Sequence, residues 1–270
     1  MARRWLITGC SSGLGRALAE RLAAAGEQVL ATARQVSSLD DLPSSVVKTG
    51  LDVRDPEQCE AAVKLAATQF GGIDVLVNNA GYGQFGVVEE VSDSELAAQF
   101  DTNVFGPWRM TRAVMPMWRE HGGGHAIFVS SVSGSVPIPG LSAYTASKFA
   151  LEGLAESLAQ ESAHLGVKVT IMQLGGFATS YGPKASDAAT RVPAYEAVVA
   201  EMLGALRTVT ADNPYLSSPA HFADLVHRIA AMPQPPLRVP FGAGAREYLE
   251  PALDARRRSF DDAIAAGFIS

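Results

Sequence analysis

Residues 8–15 read Thr8-Gly9-Cys10-Ser11-Ser12-Gly13-Leu14-Gly15, a glycine-rich stretch near the start of the chain. It follows a short apolar run, Trp5–Thr8, and leads into an amphipathic segment, Leu14–Ala25. Gly9 permits a tight turn, and Gly15 allows a helix to pack closely against a strand. A strand, a glycine-rich turn and a helix in this order are typical of the first unit of an α/β fold.

Short apolar runs alternate with longer amphipathic segments along the rest of the chain. This alternation predicts a parallel sheet of about seven strands with helices on both faces, a Rossmann-type doubly wound α/β fold. The predicted strands are Trp5–Thr8, Gln28–Thr32, Val46–Leu51, Val75–Val77, Ala126–Ser130, Lys168–Gln173 and Leu237–Pro240. The predicted helices are Leu14–Ala25, Pro56–Phe70, Asp93–Arg119, Tyr144–Leu165, Ala194–Arg207, Pro219–Ala231 and Ala245–Ala265.

The chain shows no internal repeat and no linker, so we expect a single domain over residues 1–270. Within it, residues 177–215 are expected to form a substrate loop or lid, and residues 216–270 the C-terminal helices and last strand. The segment Phe177–Pro193 is rich in small residues, Gly and Pro, and is long for a loop in a compact domain. It is interpreted either as a functional lid or as a partly disordered loop.

Composition narrows the class of protein. Of 270 residues, 47% are hydrophobic and 19% charged, and the formal net charge is −6. This acidic balance argues against nucleic acid or an anionic membrane as the main partner. The apolar run that begins at Trp5 is too short for a signal peptide or a membrane-spanning helix. Cys10 and Cys59 do not suggest a disulfide framework, so a cytoplasmic location is expected.

The glycine-rich turn is a candidate binding site for the pyrophosphate of a dinucleotide. Gly13 would let the backbone approach the phosphates, and the free N–H groups at the start of the helix would bind them. The glycine spacing differs from the common G-x-G-x-x-G pattern, so a loop selected only for its turn geometry is the alternative. The position between the first strand and the first helix favours the dinucleotide.

Tyr144 and Lys148 form a second candidate site, in Ala143-Tyr144-Thr145-Ala146-Ser147-Lys148-Phe149-Ala150. On a helix, residues four apart share a face, so the Lys148 ammonium would lie near the Tyr144 phenol. A cation beside a phenol favours the phenolate, which suits a tyrosine that exchanges protons near neutral pH. Taken alone, the spacing is common, and the alternative is an ordinary core tyrosine with a solvated lysine.

Several motifs together carry a resemblance to a known family. They are T-G-x-x-x-G-x-G from Thr8, Asn78-Asn79-Ala80-Gly81 after the fourth predicted strand, Asn103, Ser131 and Tyr144-x-x-x-Lys148. Their order and spacing resemble those of the short-chain dehydrogenase/reductase family over nearly the whole chain. The segment that begins at Tyr144 is especially similar to the branch that holds 17β-hydroxysteroid and retinol dehydrogenases and many bacterial relatives.

The resemblance implies hydride transfer between a nicotinamide cofactor and a carbonyl or carbinol carbon. Tyr144 would be the general acid or base, and Lys148 would favour its ionised form and hold the nicotinamide ribose. Ser131 would donate a hydrogen bond to the developing oxyanion, since strand alternation turns the side chain of Ser130 to the other face. Asn103 would anchor a water that links Lys148 to solvent. The alternative interpretation of Asn103 is an asparagine inside a helix that is hydrogen-bonded to nearby backbone.

The resemblance also implies a set of cofactor-binding residues. Asp52 and Val53 would hold the adenine ring, and Thr179 would bind the nicotinamide carboxamide. Leu174 stands before Gly175 where the family usually has proline, so the loop that follows is expected to be more mobile. The full expected set is Gly9, Ser11, Ser12, Gly13, Leu14, Gly15, Arg34, Asp52, Val53, Asn79, Ala80, Gly81, Tyr144, Lys148, Gly175 and Thr179.

The end of the second predicted strand indicates which dinucleotide binds. An acidic residue there would accept from the ribose 2′-hydroxyl of NAD and repel a 2′-phosphate. Ala33 stands at that position, and Arg34 follows it. A guanidinium can bind a phosphate through two parallel hydrogen bonds, and Ser11 and Ser12 could donate to the same group. The sequence therefore predicts NADP(H), with an exposed strand-end arginine as the alternative.

No metal site is expected, because the five histidines have no metal-ligand spacing. His121 and His125 flank three glycines and are interpreted as loop residues, and His227 as a half-buried helix residue. By family analogy, the residues that could face a substrate are apolar or aromatic and include no basic clamp, which favours a lipophilic or aromatic ketone or alcohol. They are Tyr82, Phe85, Val132, Val136, Leu141, Phe177 and Tyr181.

The long predicted helices Asp93–Arg119 and Tyr144–Leu165 resemble those that pair across the family's dimer interface. We therefore expect a homodimer or homotetramer. Two other functions stay open. One is an epimerase or dehydratase that uses a bound dinucleotide transiently, although no extra acid–base pair accompanies the Tyr–Lys–Ser set. The other is a non-catalytic NADP-binding sensor, which would have no need of the Tyr144 phenol.

Overall fold

The computed structural model describes residues 2–179, 185–208, 213 and 215–268. The strands in this part of the chain are β1 (Arg4–Ile7), β2 (Gln28–Ala33), β3 (Val47–Gly50), β4 (Val75–Asn78), β5 (Gln84–Phe85), β6 (Gly124–Val129), β7 (Val167–Leu174), β8 (Ser186–Asp187) and β9 (Arg238–Phe241). The α-helices are α1 (Gly13–Ala24), α2 (Pro56–Phe70), α3 (Asp93–Phe100), α4 (Gly106–His121), α5 (Ser142–Ser162), α6 (Glu196–Arg207), α7 (Pro219–Ala230) and α8 (Ala245–Ala265).

Seven strands form one parallel sheet in the order β3-β2-β1-β4-β6-β7-β9. The order reverses between β1 and β4, so the chain winds outward from the middle of the sheet in both directions. Because all seven strands are parallel, their carboxyl ends meet at one edge. A ligand site in such a sheet is expected outside these ends, at the point where the order reverses.

Two apolar cores lie on opposite faces of the sheet, as the alternation of side chains along a strand requires. Trp5 and Ile7 of β1 pack against α1 and α7 on one face. Leu6, between them, packs on the other face with α2, α4 and α5. The central strands are therefore covered on both sides, which explains why they read as nearly continuous apolar runs.

The local signals for helix ends are visible at α2. Pro56 occupies its first turn, and the Asp55 side chain accepts from the backbone N–H groups of Glu57 at 2.9 Å and Gln58 at 3.2 Å. Gly71 ends the helix with a φ of +78°. The predicted bounds of α2 match the observed ones for this reason.

The fold class is confirmed: the chain is a single Rossmann-type domain with a seven-stranded parallel sheet. Most predicted strands and helices are present with ends shifted by one or two residues. The continuous helix predicted over Asp93–Arg119 is wrong, because α3 and α4 are separated by a π-helical turn, Asp101–Phe105. The short strands β5 and β8, which pair with each other, were not predicted.

The prediction that His121 and His125 are loop residues is also wrong, since His121 is the last residue of α4. Gly122 ends α4 with a φ of +84°, and β6 begins two residues later at Gly124. His125 is buried in that strand, where its Nε2 lies 3.0 Å from Thr170 Oγ1 on β7. His227 lies on α7, and its Nε2 is 2.9 Å from a Glu27 carboxylate oxygen. Among the described residues, none of the helices has the length and apolar character needed to cross a membrane.

Candidate active site

A cleft of about 960 Å³ opens at the carboxyl ends of the strands, where the strand order reverses. This volume is at the upper end of the range for small-molecule and cofactor sites. Most residues predicted for the site line it: Gly9, Ser11, Ser12, Gly13, Leu14, Arg34, Asp52, Val53, Asn79, Ala80, Gly81, Ser131, Tyr144, Lys148, Gly175 and Thr179. Gly15 and Asn103 lie behind this lining and contact residues of it.

The glycine-rich turn is shaped by close backbone packing. Gly9 has a φ of +74°, and a Cβ on Gly15 would lie 2.4 Å from the Gly9 carbonyl oxygen. Asn79, after β4, holds the turn by donating to the carbonyl oxygens of Thr8 at 2.8 Å and Gly9 at 3.0 Å. Burial raises the pKa of the Cys10 thiol to about 12, so this cysteine stays protonated at neutral pH.

Gly13 and Thr179 face each other across the cleft. Gly13 has a φ of +59°, and a Cβ built on it would lie 3.8 Å from both Cβ and Cγ2 of Thr179. A Cβ at this distance makes only ordinary van der Waals contact, so the left-handed φ, and not a lack of space, is what favours glycine at position 13. A glycine turn at the N-terminus of α1 fits the backbone approach of a dinucleotide, so the residues present fit this class of cofactor.

The end of the cleft nearest β2 and β3 carries two guanidinium groups. Arg34 directly follows Ala33, the last residue of β2, and is exposed. Arg54, which sequence reasoning did not identify, is bound to the Asp52 carboxylate through Nε at 3.0 Å and Nη2 at 2.6 Å. Hydrogen bonds from Arg54 lower the pKa of Asp52. Asp52, predicted to contact the adenine ring, is thus already held by a neighbouring cation.

Helix α5 presents Tyr144 and Lys148 on one face, as their spacing predicts. The Lys148 Nζ is 5.6 Å from the centroid of the Tyr144 ring and donates to the Val129 carbonyl oxygen at 2.7 Å. Both side chains are at least nine-tenths buried yet line the cleft. Burial lowers the pKa of Lys148 to about 8, while the nearby Glu152 carboxylate acts in the opposite direction.

Two consecutive serines after β6 have different surroundings. Ser131 lines the cleft, and its Oγ accepts from the Ser133 backbone N–H at 3.1 Å. Ser130 donates instead to Oε1 of the buried Glu152 at 2.8 Å. The hydroxyl of Ser130 is therefore committed to a buried carboxylate, whereas Ser131 stands at the cleft surface next to the turn of Val132–Gly134.

Asn103 lies in the π-helical turn and is buried. Its Oδ1 accepts from the Tyr82 backbone N–H at 3.1 Å, and its Nδ2 donates to the Tyr82 carbonyl oxygen at 3.0 Å and to Ser147 Oγ at 3.1 Å. Ser147 in turn donates to the Tyr144 carbonyl oxygen at 2.7 Å. Asn103 thus connects the loop after β4 to the first turns of α5.

The substrate side of the cleft is mostly apolar. Of the predicted residues, Val132, Leu141 and Phe177 line it, and Tyr181 lies outside the described residues. Tyr82 also lines the cleft, but its phenol lies near the Arg34 and Arg54 guanidinium groups at the other end. Phe85 and Val136 are not in the lining. Phe85 is fully buried beneath Leu141 and Tyr144, and Val136 packs against Val132 and the start of α8. Phe85 and Val136 are therefore buried because they pack loops against the helices, and not because they face the cleft.

The apolar and aromatic lining residues that were not predicted from the sequence include Ile138, Leu206, Leu216 and Tyr248. Leu206 and Leu203 are three apart on α6, a spacing that places both toward the Phe85–Tyr144 cluster. This periodicity was the available signal for α6. Tyr248 on α8 gave none, since its contribution depends on how the C-terminal helix returns to the cleft.

The loop after β7 begins in a hydrogen-bonded arrangement, although the sequence favoured a mobile one. The backbone N–H of Gly175 donates to Phe241 O at 2.9 Å, and that of Gly176 donates to Ala243 O at 2.8 Å. A Cβ on Gly175 would lie 2.2 Å from Ala243 O. Gly175 is therefore required by close packing against the chain that follows β9. Residues 180–184 of this loop lie outside the described residues.

Comparison with known proteins agrees with this geometry. The family model described as short chain dehydrogenase matches residues 3–189. The chain is 36% identical over 259 residues to oxidoreductase BOA17 of Botryotinia fuckeliana, with 94% of each chain covered. It is 41% identical over 192 residues to estradiol 17-beta-dehydrogenase 1 of Rattus norvegicus, covering 66% of this chain and 55% of that protein.

Solved structures give the same result. A short-chain dehydrogenase from Streptomyces avermitilis is 38% identical, with all of both chains covered and a TM-score of 0.88. Other structures of similar fold are complexes with NADP in one case and NADH in another. The matched family model, the near-complete coverage of the relatives and the shared sheet show that the chain is a member of the short-chain dehydrogenase/reductase family of oxidoreductases.

Proposed function

We propose that this protein is an NADP(H)-dependent oxidoreductase that acts on a lipophilic or aromatic ketone or secondary alcohol, with Tyr144 as the general acid or base. The observation that carries the proposal is the placement of Tyr144 and Lys148 on one face of α5, lining the same cleft as Ser131 and the glycine-rich turn. When bound, the dinucleotide would supply or accept the hydride.

The proton would be handled by side chains of α5. In reduction, Tyr144 would give its phenolic proton to the carbonyl oxygen, and in oxidation it would take the carbinol proton. The Lys148 ammonium, 5.6 Å from the ring centroid, would favour the ionised phenol by its charge. Ser131 would donate a hydrogen bond to the same oxygen as negative charge develops on it. Asn103 would hold a water that connects Lys148 to solvent.

The choice of NADP(H) rests on the end of β2. Ala33 leaves no carboxylate to repel a 2′-phosphate, and the exposed Arg34 follows it at the rim of the cleft. A guanidinium is suited to two hydrogen bonds with one phosphate. Arg54 adds positive charge at this end, partly neutralised by Asp52. A complex with NADP in a structure of similar fold supports this choice without requiring it of this chain.

The substrate class rests on the opposite end of the cleft. Ile138, Leu141, Leu206 and Leu216 supply aliphatic surface, and Phe177 and Tyr248 supply aromatic rings. Among the described lining residues, the basic side chains are Arg34, Arg54 and Lys148, none of which is expected to bind a substrate carboxylate or phosphate. The rat relative is named for a steroid alcohol, which fits a lipophilic substrate of this kind.

We further propose that the protein acts as a homo-oligomer in the cytoplasm. The outer face of α4 exposes Trp108, and the π-helical turn exposes Phe105. These residues border a shallow apolar groove that includes Ala150 and Leu154. A second copy of the chain placed against this surface would bury it, and size measurement of a Trp108→Glu variant against wild type tests the assembly.

The decisive experiment measures oxidation of NADPH and NADH by the purified protein with a panel of aliphatic, aromatic and steroid ketones. We expect turnover with NADPH on members of this panel. Tyr144→Phe should lose at least about a hundredfold in rate, because the proton donor is removed. Its affinity for NADPH should stay near that of wild type. A Tyr144→Phe enzyme with near-normal turnover would overturn the assigned chemistry.

A further inference from the structure

A buried carboxylate lies one helical turn beyond Lys148 on α5. Glu152 is 2% exposed, and three donors from three different strand ends converge on it. Ser130 Oγ donates to its Oε1 at 2.8 Å, Gln173 Nε2 donates to Oε2 at 3.0 Å, and Arg238 Nη2 donates to Oε2 at 3.2 Å. Glu152 therefore joins α5 to the ends of β6 and β7 and to the start of β9.

Both carboxylate oxygens of Glu152 act as hydrogen-bond acceptors in this arrangement. An ionised carboxylate accepts from all three donors, whereas an amide would direct its own N–H groups at one or more of them. A charge buried in this way is costly unless it is paired and hydrogen-bonded. The Arg238 guanidinium provides the pairing, and it is also bound to Glu156, which lies nearer the surface.

The turn that follows Ser131 packs directly on the carboxylate. A Cβ on Gly134 would lie 2.2 Å from Glu152 Oε1 and 2.7 Å from Ser130 Oγ, so only glycine fits there. Gln173 also donates to Ser135 Oγ at 2.9 Å, which ties the far end of the same turn to the cluster. Both ends of the segment that carries Ser131 are therefore held by groups bound to Glu152.

We propose that Glu152 is a positioning residue, whose carboxylate fixes the Ser130–Ser135 turn and balances the buried charge of Lys148. The inference rests on the proposed function, since Ser131 and Lys148 are the groups that it would position. Ser130 is the neighbour of Ser131, and the preceding residue, Val129, supplies the carbonyl that accepts from Lys148. A displacement of this strand end would therefore move both groups together.

The test compares Glu152→Gln with Glu156→Gln, which removes the other carboxylate bound to Arg238 but lies outside the cleft. Glu152→Gln should lower kcat at least about tenfold, because misplaced catalytic groups are costly. Glu156→Gln should retain wild-type kcat. Equal kcat for Glu152→Gln and wild type would overturn the inference.

A second readout does not depend on turnover. The chain has five lysines, so ¹³C-lysine NMR can follow the titration of Lys148 separately from the others. The charged or titratable groups described near Lys148 are Glu152 on its own helix, the Tyr144 phenol, and Arg238 on β9 beyond Glu152. In Glu152→Gln, Lys148 should titrate about one pH unit lower, since the opposing charge is gone. An unchanged titration would contradict the proposed charge balance.

If Glu152→Gln does not fold, Ser130→Ala tests the same link with a small change. It removes one donor to Glu152 and leaves Ser131 in place. We expect kcat of the folded variant to fall by about threefold or more, in line with a displaced turn. Wild-type kcat in folded Ser130→Ala would count against positioning. A failure of the proposed function itself would be recognised separately, as near-normal turnover in the Tyr144→Phe variant.

Discussion

Lys148 donates to the carbonyl oxygen of Val129 at 2.7 Å, which joins helix α5 to the last residue of β6. This hydrogen bond holds a fully buried ammonium above the carboxyl end of the sheet. Charge burial lowers the pKa of Lys148 to about 8, from 10.5 in an ordinary lysine. The site thus retains a cation at neutral pH at a cost to stability.

The first prediction follows from that cost. The unfolded chain holds the Lys148 proton up to about pH 10.5, whereas the folded chain releases it near pH 8. Wild-type stability should therefore rise between these pH values, by about 3 kcal/mol from this group. Lys148→Met lacks this contribution. Urea unfolding should show that the stability of the variant minus that of wild type is greater at pH 7 than at pH 10.

The matched control for this measurement is Lys168→Met, since Lys168 is an exposed lysine on β7. Its stability relative to wild type should not change over the same pH range. If Lys148→Met behaves like Lys168→Met, the Lys148 ammonium is not destabilised by burial in the folded chain, and its role beside Tyr144 needs another physical basis.

The second prediction concerns Arg34 and the choice of dinucleotide. If Arg34 binds the 2′-phosphate, Arg34→Ala should weaken NADPH binding more than NADH binding, by roughly 1.5–3 kcal/mol. Calorimetric titration with both cofactors measures the difference. Arg21→Ala is the control, because Arg21 lies in the last turn of α1, outside the lining of the cleft, and is bound to Asp224. Equal losses for the two cofactors, or a wild-type preference for NADH, would refute the assignment.

The sequence was sufficient for the parts of the fold that depend on local pattern. Buried parallel strands read as apolar runs, so β1 could be placed to within one residue. The break between α3 and α4 could not be placed in this way, because its cause is partly tertiary. Pro107 has no N–H for the Asn103 carbonyl, and a Cβ on Gly106 would lie 2.7 Å from a methyl group of Val53.

The candidate site likewise has a part that local sequence predicts and a part that depends on tertiary contacts. Tyr144 and Lys148 are neighbours on one helix, so their spacing alone places them together. Glu152 lies on that helix too, but its partners Gln173 and Arg238 are 21 and 86 residues away along the chain. Nothing in the local sequence indicates that these groups meet. Tyr248 was missed for the same reason, since α8 reaches the cleft only after the sheet is complete.

The third prediction concerns His125. Thr170 donates to Pro236 O at 3.1 Å, so Thr170 Oγ1 accepts from the Nε2–H of His125. The ring Nδ1 is buried with no hydrogen-bond partner among the described residues. Burial lowers the pKa of His125 to about 4. The unfolded chain takes up this proton below about pH 6.5, so the folded state should lose about 3 kcal/mol between pH 6.5 and pH 4.

Unfolding of His125→Leu over this pH range measures the contribution. The variant should gain stability relative to wild type as the pH falls, since it has no imidazole to protonate. His121→Gln, at the exposed end of α4, should follow wild type throughout. A constant difference between His125→Leu and wild type from pH 7 to pH 4 would show that His125 does not contribute to acid sensitivity.

The last prediction concerns the lid expected over residues 177–215. In the described part of its first half, several backbone groups are held by hydrogen bonds, and the Glu90 side chain is central to these bonds. The buried Glu90 carboxylate accepts from the Val192 backbone N–H at 2.9 Å and from Arg191 Nη1 at 2.9 Å. Ala188 N–H donates to Phe85 O at 2.7 Å.

Residues 185–193 are therefore expected to resist hydrogen exchange without ligands, so closure over the cleft would have to involve other parts of the segment. Glu90→Gln should speed this exchange, while Glu89→Gln, which removes an exposed contact with Tyr195, should not. Exchange followed by mass spectrometry decides the matter. Fast exchange of residues 185–193 in the wild-type protein, slowed only when NADPH and substrate bind, would instead support a lid that includes them.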